Sequence, residues 1–148
     1  MKISVKKLHP NAMIPKFASH GAACFDLHML GEEVGSHVDS GARYFTTGLS
    51  FEIPAGYVML IFSRSGHGFR QAMRLSNCVG VIDSDYRGEI KVALRFDGDD
   101  NATEFPIIKY GDRIAQAMIL PTAGIELVEV DELSKTDRGT GGFGSTGV

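Results

Sequence analysis

The chain is poor in the residues that usually announce a metal or redox protein. It has no tryptophan and only two cysteines, Cys24 and Cys78. Two cysteines are too few for a disulfide framework, and they form no CxxC pair, so both read as buried thiols. The five histidines (His9, His20, His28, His37, His67) show neither HExxH nor HxxxH spacing, which argues against zinc. No apolar run approaches the roughly 18 residues of a membrane span. The start, MKISVKKLHP, lacks the apolar stretch of a secretory signal. The expectation is a soluble, cytoplasmic protein (host-cell cytoplasm if viral) with no membrane partner. Positive charge is also scarce: 15 Lys and Arg against 18 Asp and Glu give a net charge of −3. That balance leaves no basic face for general nucleic-acid binding. A polyanionic ligand would have to be met by a few local cations or by a metal ion.

What the chain does have is alternation. In 24–30 (CFDLHML), Phe25, Leu27 and Met29 face one way and Cys24, Asp26 and His28 the other. In 90–96 (IKVALRF), Ile90, Val92, Leu94 and Phe96 oppose Lys91, Ala93 and Arg95. Ile3 and Val5 share a side in 2–8. Period two over short segments means half-buried strands, whereas the continuously apolar YVMLIF (57–62) predicts a strand buried on both faces. Only 66–74 (GHGFRQAMR) offers a helix. Glycine and proline punctuate the segments at Gly31, Gly41, Pro54, Gly56, Gly98, Gly111 and Pro121. At 148 residues with 43% apolar content, the chain predicts one all-β domain, a sandwich or barrel. No internal repeat is present, and 134–148 reads as a glycine-rich terminal arm.

Four stretches can carry chemistry. The tail, RGTGGFGSTGV (138–148), holds five glycines with one arginine, one phenylalanine and a Ser-Thr pair. It has the glycines of a phosphate loop but neither its lysine nor a following helix, so the nucleotide-hydrolase P-loop reading fails. The backbone logic survives, because glycines let amide N–H groups approach phosphate oxygens. Arg64-Ser65-Gly66 follows the apolar strand with a guanidinium, a hydroxyl and an unhindered amide, a set suited to an oxyanion. Asp83-Ser84-Asp85-Tyr86-Arg87-Gly88 reads as a tight connection between VGVI and EIKVAL. One carboxylate there can polarise a water, and the tyrosine ring can floor a sugar. Spacing leaves open which aspartate acts, since 83 and 85 point the same way on extended chain. In YGDRIAQAMILP (110–121), Gln116 is the odd polar residue in an apolar run.

In this order the segments closely resemble the five motifs of the trimeric dUTPase family (deoxyuridine triphosphate nucleotidohydrolase). GAACFDL (21–27) is similar to the first motif and RSG (64–66) to the second. GVIDSDYRGEI (80–90) resembles the third, GDRIAQ (111–116) the fourth and RGTGGFGSTG (138–147) the fifth. The resemblance implies a jelly-roll-like β-barrel over 1–133, assembled as a homotrimer with sites shared between subunits, and an arm over 134–148 that closes a neighbour's site. It implies hydrolysis of dUTP to dUMP and pyrophosphate, which limits uracil in DNA and supplies dUMP for thymidylate synthesis.

By the same resemblance Asp83 activates the water and Asp85 is structural. Asn77, main-chain groups from Val81 through Ile82 to Asp83, and the main chain near Lys91 read uracil, while Tyr86 packs against deoxyribose. Arg64, Ser65, Gly66 and Arg138 meet the phosphates, and Gln116 is a further substrate-binding residue. Phe143 stacks on the base, and Gly144, Ser145 and Thr146 hold the terminal phosphate. Mg²⁺ is implied as cofactor, held mainly by the substrate's phosphates, with Asp26 contributing through water. Four positions depart from the family pattern without removing a catalytic group: Cys24, His67, Ala72 and Phe96. Two other readings are a dCTP deaminase, separable by ammonia release, and a nucleotide-sensing regulatory protein that binds without turnover.

Overall fold

The computed structural model describes residues 1–33, 41–98 and 104–142. Its strands are β1 (Ser4–Lys7), β2 (Phe25–His28), β3 (Gly31–Glu33), β4 (Ala42–Thr46), β5 (Leu49–Glu52), β6 (Tyr57–Phe62), β7 (Met73–Leu75), β8 (Val79–Ile82), β9 (Lys91–Phe96) and β10 (Arg113–Pro121). The helix α1 (Ser65–Gln71) stands between β6 and β7. All pairings are antiparallel. One four-stranded sheet runs β2-β10-β6-β8, a second β3-β4-β9-β7, and β1-β5 forms a two-stranded ribbon. The architecture is all-β, as the alternation predicts, and jelly-roll-like, as the resemblance implies.

The core lies between the two four-stranded sheets. Leu27, Met59, Ile61, Ile114 and Ala117 from the first meet Phe45, Leu75, Val92 and Leu94 from the second, all at most 3% exposed. Burial of these side chains is the main source of stability, at about 1.5–3 kcal/mol for each large one. The alternation in 24–30 and 90–96 holds in three dimensions: Leu27, Met29, Ile90, Val92 and Leu94 are buried, and Asp26, His28, Lys91 and Arg95 are not.

Three local readings are corrected. The helix covers Ser65–Gln71 rather than 66–74, because Ala72 turns left-handed (φ 47°) and Met73–Leu75 join β9 as a strand. Cys78 is exposed and Cys24 half-buried, so neither is a core thiol. The third correction concerns β6. Met59 and Ile61 are buried, but Val58, Leu60 and Phe62 remain half-buried, because only one face of this sheet packs on the other sheet. Cross-strand partners share a face. Register therefore puts Met118 beside Leu60, Leu120 beside Val58, Val81 beside Leu60 and Val79 beside Phe62. The outer face of the first sheet is apolar along Val58, Leu60, Phe62, Met118 and Leu120. It gives way to Gln116 and Asp26 at the end where β6 finishes.

The chain changes sheets at Thr47-Gly48, between β4 and β5. Gly48 has φ 67°, and a Cβ there would sit 2.6 Å from Leu30 Cδ2 and 2.8 Å from the Ala12 Cβ, so only glycine makes this corner. After Pro121 the chain carries no strand through 142, and Ile125, Leu127, Val130 and Leu133 are exposed.

Candidate functional site

The segment from Asn77 to Lys91 forms an open groove. β8 pairs with β6 alone, and β9 pairs with β7 only from Leu94 to Phe96. Among the described residues no strand pairing joins β8 to β9, so the facing edges near Val81 and Lys91 are splayed apart. Free main-chain donors and acceptors at such edges are a template for a planar polar ligand. Asn77, Gly80, Val81, Ile82, Lys91 and Glu33 line a cavity of about 350 Å³ here. It continues into a second cavity of about 250 Å³ that shares Val81, Ile82 and Lys91 and adds Asp83, Tyr86 and Glu89.

The loop at the groove's mouth turns at Asp83, where the Tyr86 N–H donates to the Asp83 carbonyl at 3.2 Å. Asp83 lines the groove beside Tyr86 and Asp85 does not, although both are exposed. The Tyr86 hydroxyl donates to the Glu89 carbonyl at 3.1 Å.

This loop is stapled to the sheet-switching corner. The Thr47 hydroxyl donates to the Ile90 carbonyl at 2.7 Å, and the Ser50 hydroxyl donates to the Arg87 carbonyl at 2.7 Å. The Gly48 N–H donates to the Glu89 carboxylate at 2.7 Å, and the Ile90 N–H to the Leu49 carbonyl at 2.8 Å. Thr47 and Ser50 are buried, and breaking such bonds leaves a desolvated partner that costs about 1–3 kcal/mol. Sequence reasoning missed Thr47, Ser50, Glu89 and Glu33. The available signal for the first two was polar residues interrupting the apolar run FTTGLSFEI.

A different constellation occupies the other end of the first sheet. Asp26 pairs with Gln116 across β2 and β10, and Gln116 with Phe62 across β10 and β6. The Gln116 amide donates to the Ser63 carbonyl at 3.0 Å. Arg64 Nε donates to Asp26 Oδ1 at 2.9 Å, and Arg113 Nη1 to Asp26 Oδ2 at 3.3 Å. Ser65 and Gly66 follow at the exposed start of α1. Beside them a cavity of about 340 Å³ is lined by Arg64, His67, Arg70, Asp112 and Arg113. Burial lowers the pKa of His67, with Arg64 adding to the effect. Burial also lowers that of His28, where Asp26 opposes and Arg113 and Arg64 reinforce the shift. Burial and then Asp26 raise that of Cys24, which keeps this thiol protonated. The corner is cationic, but its arginines are already partly neutralised by one carboxylate.

These two half-sites do not meet within the chain. Ile82 lies opposite Met59 and Val79 opposite Phe62, so Asp83 leaves at the end of β6 where that strand begins. Arg64 follows the end where it finishes. Strand geometry sets Asp83 and Arg64 roughly 20 Å apart. Arg138 is exposed in the terminal segment, its Nε donating to the Gly141 carbonyl at 2.8 Å. Phe143, Gly144, Ser145 and Thr146 lie outside the described residues.

For a metal, the carboxylates at this corner among the described residues are Asp26 and Asp112, and both Asp26 oxygens already face guanidinium groups. Among the described residues no group of three or more His, Cys, Asp or Glu is placed to hold an ion. Such a donor set fits magnesium only where a ligand's phosphate oxygens complete the coordination, the usual way this ion is bound.

The dUTPase family model matches residues 10–147. A deoxyuridine 5'-triphosphate nucleotidohydrolase of Nautilia profundicola is 47% identical over 148 residues, covering 99% of both chains. One from Helicobacter pylori strain J99 is 41% identical, covering 100% of this chain and 98% of that protein. Among solved structures, a mutant of the Staphylococcus bacteriophage 80alpha dUTPase with dUpNHpp superposes with a TM-score of 0.84 at 28% identity, covering 99% of each chain.

Proposed function

This chain belongs to the dUTPase family, and we infer that it is a dUTP diphosphatase, releasing dUMP and pyrophosphate. The observation that carries this reading is the opened β8–β9 groove, with a carboxylate and a tyrosine at its mouth. Uracil enters between the splayed strands, where Asn77 and main-chain groups at Val81, Ile82, Asp83 and Lys91 meet its polar edge. A backbone fixed by the Thr47–Ser50 staples resists thymine's methyl by steric clash. Cytosine reverses a donor and an acceptor, which leaves buried groups unpaired. Tyr86 packs against deoxyribose and leaves no room for a 2′-hydroxyl.

Asp83 takes a proton from a water aligned on the α-phosphorus, and the resulting nucleophile expels pyrophosphate in line. Arg64, Ser65, Gly66, Gln116 and Arg138 hold the phosphate oxygens as charge develops. Asp26 would hold magnesium through water, and the ion, when bound, would supply charge neutralisation on the triphosphate. Phe143, Gly144, Ser145 and Thr146 close the site from the arm over 134–148, base stacking contributing roughly 1–3 kcal/mol.

The working unit is a homotrimer with each site shared between subunits. Two features support this: Asp83 and Arg64 lie at opposite ends of one sheet, and the outer apolar face around Leu60 and Met118 needs a cover. The exposed apolar residues of the terminal segment, Ile125 and Leu127 among them, suit passage onto a neighbour. The test is incubation with each common nucleoside triphosphate while pyrophosphate and ammonia are followed. Pyrophosphate from dUTP alone is expected. Ammonia from dCTP would replace this reading with deamination, and tight dUTP binding without turnover would replace it with nucleotide sensing.

A further inference from the structure

Gly88 stands two residues after Tyr86 in the loop between β8 and β9. Glycine is needed at Gly41, Gly48, Gly56, Gly111 and Gly139 because each has a positive φ. Gly88 does not, so its backbone would accept alanine without strain. What excludes a side chain is the tyrosine. A Cβ on Gly88 would lie 2.3 Å from Tyr86 Oη, 2.5 Å from Cζ and 2.9 Å from Cε2. Real atoms do not approach so closely, and here the obstacle is a rigid ring. The ring is also tethered, since its hydroxyl donates to the Glu89 carbonyl just beyond Gly88. Its outward side is open, with Tyr86 44% exposed.

Resting on the diphosphatase reading above, we propose that Gly88 is a positioning residue for sugar selectivity. Its missing side chain is the seat into which the Tyr86 ring retracts. The depth of that seat sets a sugar space that admits 2′-deoxyribose and refuses ribose. Any side chain at 88 unseats the phenol from the Glu89 carbonyl and swings the ring toward solvent, taking away the floor of the sugar site. Asp83, three residues before Tyr86, is held by the main-chain bond from the Tyr86 N–H to its carbonyl. That bond does not involve the ring, so Asp83 stays in place.

The test compares kcat/KM for dUTP and UTP in the wild-type trimer, Gly88→Ala, Tyr86→Ala and the double variant. In Gly88→Ala the dUTP-to-UTP ratio is expected to fall about tenfold or more, the scale on which a methylene-sized change in a pocket alters discrimination. The loss should appear in KM for dUTP, with kcat within about threefold, because the water-activating carboxylate does not move. In the Tyr86→Ala background, adding Gly88→Ala should change the ratio by less than about twofold, since the two act as one unit. A merely structural role would lower kcat for both nucleotides alike and would add to Tyr86→Ala. An unchanged ratio in Gly88→Ala, or an equal effect in both backgrounds, overturns the proposal. Should Gly88→Ala fail to fold, the double variant, which lacks the colliding ring, must fold with a near-wild-type Tm; its failure also overturns it. Wild-type protein inert toward dUTP overturns the diphosphatase reading and this one together, whereas an active wild type with an indifferent Gly88→Ala sinks this one alone.

Discussion

The two ends of the β2-β10-β6-β8 sheet are built on opposite principles. At one end the β8–β9 groove is preformed, its loop tied to Thr47, Gly48 and Ser50 by short hydrogen bonds, with main-chain edges left open. At the other the charged groups Arg64, Arg113 and Asp26 satisfy one another. The proposed function makes the first a rigid receptor for the neutral, planar base. The second is a charge store, in which an arriving polyanion competes with Asp26 for guanidinium groups. On the proposed function, selectivity belongs to the groove, and turnover requires a neighbouring copy to bring the two ends together.

The largest effect that would sharpen this contrast is on chemistry alone. Asp83→Asn should lower kcat by about 10²–10⁴, the range for a general base, while affinity for a non-cleavable dUTP analogue, measured by calorimetry, stays within about threefold. Retained turnover would remove Asp83 from the mechanism. Mixing tests the division between the ends directly. Asp83→Asn and Arg64→Ala, each nearly inactive, are refolded together at equal ratio. If every site takes Asp83 from one subunit and Arg64 from another, random assembly should restore activity to about a quarter of wild type. No recovery would mean that one chain supplies both residues.

Next comes the face between the two ends. Leu60→Glu puts a charge beside Met118 and Val81 on the apolar outer surface. Burying an unpaired charge costs several kcal/mol, so sedimentation should show the mass falling from trimer to monomer, with pyrophosphate release lost. A trimer that survives this change would place the subunit contact elsewhere.

That face also shows what the sequence could and could not disclose. Alternation in 24–30 and 90–96 gave the buried side of β2 and β9 correctly, because side-chain period is a local property. YVMLIF predicted burial on both faces, which the fold does not bear out; which face its own chain covers depends on pairing with Val79–Ile82 and Arg113–Pro121. The staples at Thr47 and Ser50 were illegible for the same reason, since their partners lie 43 and 37 residues along the chain. Asp83, Tyr86 and Arg64 were marked by residue type and by family resemblance. Their separation at opposite ends of a sheet required the register.

A smaller effect probes the charged corner. His28 and His67 both have folded-state pKa values lowered by burial, with arginine charge reinforcing the shift. Above the unfolded value of about 6.5 both states are neutral and the full stability is present. As pH falls below it the unfolded chain takes up protons that the folded chain refuses, so stability drops toward the folded pKa. Tm should therefore decline between about pH 7 and 5, and His67→Leu should decline less. Equal slopes would show that His67 protonates as readily in the fold as outside it.

The smallest effect lies at the joint between the two ends, where α1 hands over to β7. Ala72 ends the helix with φ 47° and ψ 33°, and its N–H donates to the His67 carbonyl. A left-handed conformation costs a residue with a Cβ about 1–2 kcal/mol. Glycine removes that strain but gives the unfolded chain more entropy, about 0.4–1 kcal/mol. The strain is the larger quantity, so Ala72→Gly should stabilise by about 0.5–1 kcal/mol in urea unfolding. The m-value should stay unchanged, because the folded surface is the same. Turnover of dUTP should also hold, because Ala72 touches neither half-site. Destabilisation by glycine would show that the left-handed turn is not strained, and that the helix is stopped instead by Met73 entering the core.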